Sequence, residues 1–189
     1  MRHVISALVM NEPGVLANVA GMFAARGFNI DSLVVGRTED PELSRMTIVV
    51  TADDITLDQV RKQLAKLIPV VQVRDFKGTA YVERDLALVT VNVGPERRGE
   101  VIEVAHVFGG KVVDVAADSL VVELTGSEEA IDRFIELMKN YGIKELARTG
   151  AIATARGMQL GKDNHGDDHG GGKRKRSLDA PAAVALPPS

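Results

Sequence analysis

The chain has no cysteine in its 189 residues. That excludes disulfides, thiolate nucleophiles and cysteine-ligated zinc. Tryptophan is also absent and aromatics make up only 4% of the chain, which argues against stacking platforms for bases or sugars. No apolar run reaches membrane-spanning length. The formal charge is −3 at pH 7, so there is no electrostatic case for a nucleic-acid partner. The phosphate loop G-x-x-x-x-G-K-[ST] and the dinucleotide fingerprint G-x-G-x-x-G are missing, as is the nucleophile elbow G-x-S-x-G. His3 and His106 are the only histidines ahead of the C-terminal tail. One falls on a strand and the other in a helix beside Phe108, and both read as structural or surface residues. Glu83, Asp85 and Glu123 fall on or beside strands with no evident partner for acid–base work.

What is present is a strongly patterned, core-forming sequence, 45% hydrophobic. Residues 2–10 read as a strand. Met1 to Leu8 carries one basic residue before an apolar stretch, as a secretion signal does, but the stretch breaks at Asn11-Glu12-Pro13 without a cleavage-type end. The cytoplasm is therefore the default compartment. Residues 14–26 read as a helix with Leu16, Val19, Ala20 and Phe23 inward, stopped by Gly27. Strands follow at 30–36 and 45–51, joined by a polar connection containing Pro41. Asp53 or Asp54 caps a second helix, with Ile55, Val60, Leu64 and Leu67 buried and Pro69 after its end. Residues 70–76 give a fourth strand. The order β-α-β-β-α-β is the ferredoxin-like split unit.

The second half repeats that order. Asp85 to Val93 alternates almost perfectly. A helix over 100–108 points Val101, Val104, Ala105 and Phe108 inward, and a hairpin turns around Asp118. Ser127 caps a last helix with Glu128 and Glu129 in its first turn, buried through Ile131, Phe134, Ile135 and Met138. Residues 143–155 supply a final strand. The expected fold is α+β: two tandem ferredoxin-like domains, 1–78 and 79–158, joined near Lys77-Gly78-Thr79-Ala80. From Gly157 the composition turns Gly- and Pro-rich, and a disordered tail is expected over 159–189. His165, Asp167, Asp168 and His169 there lack a preformed geometry for metal, and Lys173 to Arg176 read as a solvated charge run.

The stretch Asn11-Glu12-Pro13-Gly14-Val15-Leu16, with Gly27-Phe28-Asn29-Ile30 one helix later, carries the most information about function. Pro13 suits a first helical turn. Gly14 removes a side chain where the helix begins, and the free N–H groups there suit a carboxylate. Asn11 and Asn29 both donate and accept hydrogen bonds, which suits a free amino acid. The same residues also serve as an ordinary cap and turn.

Four blocks of sequence carry a resemblance to a known family. They are Asn11 to Leu16, Arg26-Gly27-Phe28-Asn29-Ile30-Asp31-Ser32-Leu33, Ser44-Arg45-Met46-Thr47-Ile48 and Tyr81-Val82-Glu83-Arg84-Asp85-Leu86-Ala87-Leu88-Val89. The chain resembles the small regulatory subunits of acetolactate synthase (acetohydroxyacid synthase) from Met1 to about Met158. The first pattern is shared by many amino-acid-sensing ACT domains. The second and third are more particular to this subunit.

The resemblance implies an N-terminal ACT domain, a C-terminal ferredoxin-like domain and no catalytic site. It implies a partner, the large catalytic subunit that makes 2-acetolactate or 2-aceto-2-hydroxybutyrate on the way to valine, leucine and isoleucine. Thiamine diphosphate, magnesium and FAD belong to that partner, and no cofactor is implied for this chain. It implies a homodimer through the ACT domains with valine in the interface. Asn11, Gly14, Val15 and Leu16 of one chain and Asn29 and Ile30 of the other then frame the ligand. The alternatives are a stand-alone ACT-type sensor serving another enzyme and an acylphosphatase-type enzyme. A DNA role is weakened by the lack of a helix-turn-helix or basic face, and the enzymatic reading lacks a phosphate-cradling loop.

Overall fold

Alternation of apolar and polar residues builds the first sheet. Strand β1 (Arg2–Met10) and strand β3 (Leu43–Thr51) pair antiparallel over their full length, from Arg2 opposite Thr51 to Met10 opposite Leu43. Strand β2 (Ser32–Arg37) borders β3, and strand β4 (Val70–Asp75) borders β1, giving the order β2-β3-β1-β4. Ile5, Ala7 and Val9 of β1 and Met46, Ile48 and Val50 of β3 share one face. Helices α1 (Val15–Ala24) and α2 (Asp54–Leu64) close that face. Val15, Val19, Met22 and Phe23 come from α1, and Leu57, Val60 and Leu64 from α2. The structure is a computed structural model and describes residues 1–157.

The second sheet repeats the plan. It uses β5 (Tyr81–Asn92), β6 (Lys111–Val115), β7 (Ser119–Gly126) and β8 (Ile143–Arg148), with helices α3 (Arg98–Val107) and α4 (Glu128–Met138) between them. The strand order is β6-β7-β5-β8, the same permutation as the first sheet. Both units are therefore ferredoxin-like and the fold is α+β. Ser127 caps α4 by accepting from Ala130 N–H at 3.3 Å. Phe134 of α4 is fully buried and meets Phe108 edge-on, with ring centroids 5.6 Å apart.

Strand β5 does more than the alternation over 85–93 announces. Its first residues, Tyr81 to Arg84, pair with a ninth strand, β9 (Ile152–Ala155). This ribbon lies over the helix-free face of the first sheet. Ala151, Ala153 and Ala155 pack there against Val4, Val49 and Phe76, with Tyr81 beside them. Small alanines let the two layers approach closely. Arg2 on β1 pairs with Glu83 of the ribbon and with Glu128 on α4, the latter at 2.6 Å.

Several local expectations need correction. Helix α1 begins at Val15, so Pro13 precedes the helix and Gly14 is its N-cap. Its buried stripe includes Val15 and Met22; Leu16 is 47% exposed and Ala20 is also exposed. In α2 the buried residue of the first turn is Leu57, while Ile55 faces solvent. The stretch 143–155 is two strands, broken around Gly150 at φ 87. The partners that Asp85 and Glu83 find are arginines in ion pairs, which serve no acid–base role and leave the expectation for these two carboxylates as stated. The expectations for the tail, including His165, Asp167, Asp168, His169 and Lys173 to Arg176, fall outside the described residues.

Candidate functional site

Among the described residues, the N-terminus of α1 differs from those of α2, α3 and α4. Asp53 caps α2, accepting from Thr56 N–H at 2.7 Å, and Asp54 follows in its first turn. Ser127 caps α4, with Glu128 and Glu129 in its first turn. Helix α3 has Glu100 in its first turn. Helix α1 has neither a side-chain cap nor an acidic residue there. Its N-cap, Gly14, sits at φ 85 in the left-handed region, which a residue without Cβ adopts without strain. Val15 N–H reaches back weakly to Glu12 O at 3.4 Å, and Asn18 N–H closes the first helical turn on Gly14 O at 2.9 Å. The intervening N–H groups of Leu16 and Ala17 belong to the set with no intrahelical partner. With the helix dipole behind them, they form an open anion-accepting end.

The remaining candidate residues surround this end unequally. Asn11 does not cap α1. Its Nδ2 donates to Pro41 O at 3.0 Å, its Oδ1 accepts from Ser44 Oγ at 3.1 Å, and its backbone N–H donates to Glu42 O at 2.7 Å. It thus ties the end of β1 to the connection between β2 and β3. Val15 is 5% exposed and belongs to the core, so it contributes backbone rather than side chain. Leu16 stands in solvent beside Gly14 and offers an apolar surface. Asn29 lies after the far end of α1, where its Nδ2 donates to Asp31 Oδ1 at 2.8 Å. Ile30 is half-buried and packs on the first core.

One chain therefore does not assemble the whole set. Gly14 and Asn29 are separated by the ten residues of α1, a length of about 15 Å. Asn29 and Ile30 instead lead directly into β2, an edge strand of its sheet. Ser44 and Asp31 orient the two asparagines and were not singled out as site residues from sequence; both lie in the quoted sequence blocks.

A second cluster lies in the second unit beside its contact with the first. Asp85, only 4% exposed, accepts from Arg148 Nε, from Thr149 Oγ1 at 3.0 Å and from Gly150 N–H at 3.0 Å. Partial burial pulls the Arg148 pKa down, but hydrogen bonds to Asp85 and Asp132 and their charges outweigh it and hold the guanidinium above its ordinary value. Next to Gly150, Ala151 N–H donates to Ser32 Oγ at 3.3 Å. Ser32 follows Ile30 by two residues, so the junction touches the strand that Asn29 and Ile30 begin.

Three of the surface cavities are lined by described residues. One of about 500 Å³ lies between β2, β3 and the β5–β9 ribbon. A second of about 610 Å³ runs along the acidic side of α4 beside Arg2. A third of about 320 Å³ lies at the Asp85–Gly150 junction. None of the three includes Asn11, Gly14 or Asn29. Among the described residues there is no cluster of His, Cys, Asp and Glu suited to a metal ion, and no helix is long and apolar enough to cross a membrane.

Two family models match the chain. Residues 5–72 match the AHAS small subunit-like ACT domain, and residues 84–157 match the small subunit of acetolactate synthase. A probable acetolactate synthase small subunit of Archaeoglobus fulgidus is 54% identical over 157 residues, covering 83% of this chain and 98% of that one. The acetolactate synthase small subunit of Aquifex aeolicus is 46% identical, covering 87% and 86% respectively. The crystal structure of the acetolactate synthase small subunit from Thermotoga maritima superposes with a TM-score of 0.76 at 40% identity, covering 82% of this chain and 98% of that one.

Proposed function

This chain belongs to the acetolactate synthase small-subunit family, and we propose that it is a non-catalytic subunit through which valine restrains a separate catalytic subunit. The observation that carries the effector site is the N-terminus of α1 at Gly14, the one helix start among the described residues with neither a side-chain cap nor an acidic first turn. An amino-acid carboxylate fits the N–H groups at Gly14 to Leu16. Its ammonium fits carboxamide oxygens, and the Oδ1 of Asn29 is free of any hydrogen-bond donor among the described residues. Leu16 and Ile30 supply apolar contact for a branched side chain.

The two halves of this site lie at opposite ends of α1, so a second copy of the chain completes it. A copy docked along the edge strand β2 meets the Asn29–Ile30 loop that feeds that strand. Ligand held between two chains alters dimer geometry, and that difference is what biases the contact with the catalytic subunit. Thiamine diphosphate, magnesium and FAD are assigned to that catalytic partner, and this chain is assigned no cofactor.

The test is reconstitution. Adding the purified chain to its cognate large subunit raises the rate of acetolactate formation, and valine inhibits only the reconstituted pair. Calorimetric titration with valine, leucine and isoleucine ranks the effectors. Turnover by this chain alone overturns the non-catalytic assignment, and an unchanged rate on mixing overturns the regulatory one.

A further inference from the structure

The alanines of the β5–β9 ribbon cover the helix-free face of the first sheet at Val4, Val49 and Phe76. Beside them opens the cavity of about 500 Å³, within the range of small-molecule sites. Alternation along the strands decides what lines it. Met46 and Ile48 of β3 face the helices, so Arg45 and Thr47 face the cavity. Thr47 stands opposite Val34, and Arg45 opposite Gly36. On the ribbon, Val82 pairs with Thr154 and Arg84 with Ile152, and all four line the cavity. Arg37 at the end of β2 and Glu39 on the β2–β3 connection complete the lining.

We propose that this cavity binds a small organic dianion, with two anionic groups on a short apolar body, at a site separate from the Gly14 loop. The charge balance points there. Arg37, Arg45 and Arg84 against Glu39 alone leave the lining at +2. Elsewhere Arg2, Arg61, Arg97, Arg133 and Arg148 are each paired with carboxylates, while Arg26 and Arg98 bond carbonyl and carboxamide oxygens away from this cavity. The three in the cavity form no ion pair among the described residues. Arg45 Nη1 donates to Ser6 Oγ at 3.0 Å and Arg84 Nη1 to Glu83 O at 2.6 Å, so neither charge is neutralised. A guanidinium grips carboxylate or phosphate through paired N–H donors. Val34, Val82 and Ile152 supply an apolar wall, and Thr47, only 3% exposed, supplies a hydroxyl with no partner among the described residues. A neutral zwitterion such as valine leaves the +2 uncompensated, whereas a dianion matches it.

Calorimetry on the full chain with glutarate and with glycerol 3-phosphate tests the proposal and separates dicarboxylate from phosphate-ester recognition. Binding of at least one, weakened about tenfold by Arg84→Gln or Arg45→Gln and by added salt, is the expected result. Arg37→Gln, at a side chain with no partner to lose, acts in the same direction with an unchanged melting temperature. Gly14→Asp leaves this binding intact, which keeps it distinct from the valine site. Absence of binding by either probe up to about 10 mM overturns the proposal. So does binding that none of the three arginine variants alters, since that is an adventitious ion only.

Discussion

At Gly14 two properties coincide that a substitution can separate. The backbone is left-handed at φ 85, and a Cβ built there meets nothing within 4 Å. Gly14→Ala therefore tests the backbone alone, since it adds no charge and no clash. It is expected to lower stability by about 1 kcal/mol, seen in urea unfolding, while valine still inhibits the reconstituted enzyme. Gly14→Asp adds a carboxylate where the ligand carboxylate is assigned. Loss of one charge-assisted hydrogen bond weakens binding by about 10- to 150-fold, so valine inhibition is lost while activation persists. Asn29→Ala removes an acceptor without adding charge and acts more mildly. Wild-type valine sensitivity in Gly14→Asp places the effector elsewhere. The Gly14 N-cap and the flanking asparagines of this candidate loop were legible because a Gly at a helix start is a local signal. The hold of Ser44 on Asn11 was not, because it joins residues that approach only once β1 and β3 have paired.

Helix starts show the same local legibility. Asp53 and Ser127 cap α2 and α4 as the sequence predicts, because a cap bonds an N–H only three residues ahead. The buried stripe of α1 was misphased for a different reason. Val15-Leu16-Ala17-Asn18-Val19-Ala20-Gly21-Met22-Phe23-Ala24 is apolar on nearly every side, so 3.6-residue spacing does not choose a face; packing against the sheet does. The reach of β5 to β9 was invisible for a third reason, since Tyr81 pairs with Ala155 across the whole second unit. The caps and nearby charges also set an acid response. Hydrogen bonds from Thr56 hold Asp53 below the ordinary carboxylate value, and those from Lys77 and Lys62 do the same for Asp54 and Asp58. Each contribution is complete above the unfolded pKa of about 3.9 and fades as pH falls through the lower folded value. The melting temperature is expected to fall below about pH 4, and less steeply in Asp53→Ala, which begins less stable from loss of the cap. A parallel acid response in the two proteins removes Asp53 from the account.

The whole molecule turns on how its two sheets are held together. The ribbon alanines, the Arg2 ion pairs and the Ala151–Ser32 hydrogen bond bridge the units, and Gly150 sits next to that bond, held by Asp85. Its φ of 87 disfavours any side chain, and a Cβ there runs into Ser32 Oγ and lies 3.2 Å from Val34 Cγ2. Ser32 cannot swing away freely, because its Oγ accepts from Ala151 N–H at 3.3 Å. Gly150→Ala must therefore push β2 and the ribbon apart, at an expected cost of about 1–3 kcal/mol, or roughly 2–10 °C in melting temperature for a chain of this size. β2 begins two residues after Ile30, so this junction joins the proposed effector loop to the second unit. If valine bound at that loop acts through the second unit, loosening the junction uncouples binding from response. Valine then still binds Gly150→Ala in calorimetry, with an affinity near that of the unaltered chain, while its inhibition of the reconstituted enzyme becomes partial. Inhibition that stays complete in a variant shown to be destabilised means that the signal leaves the first unit by another surface.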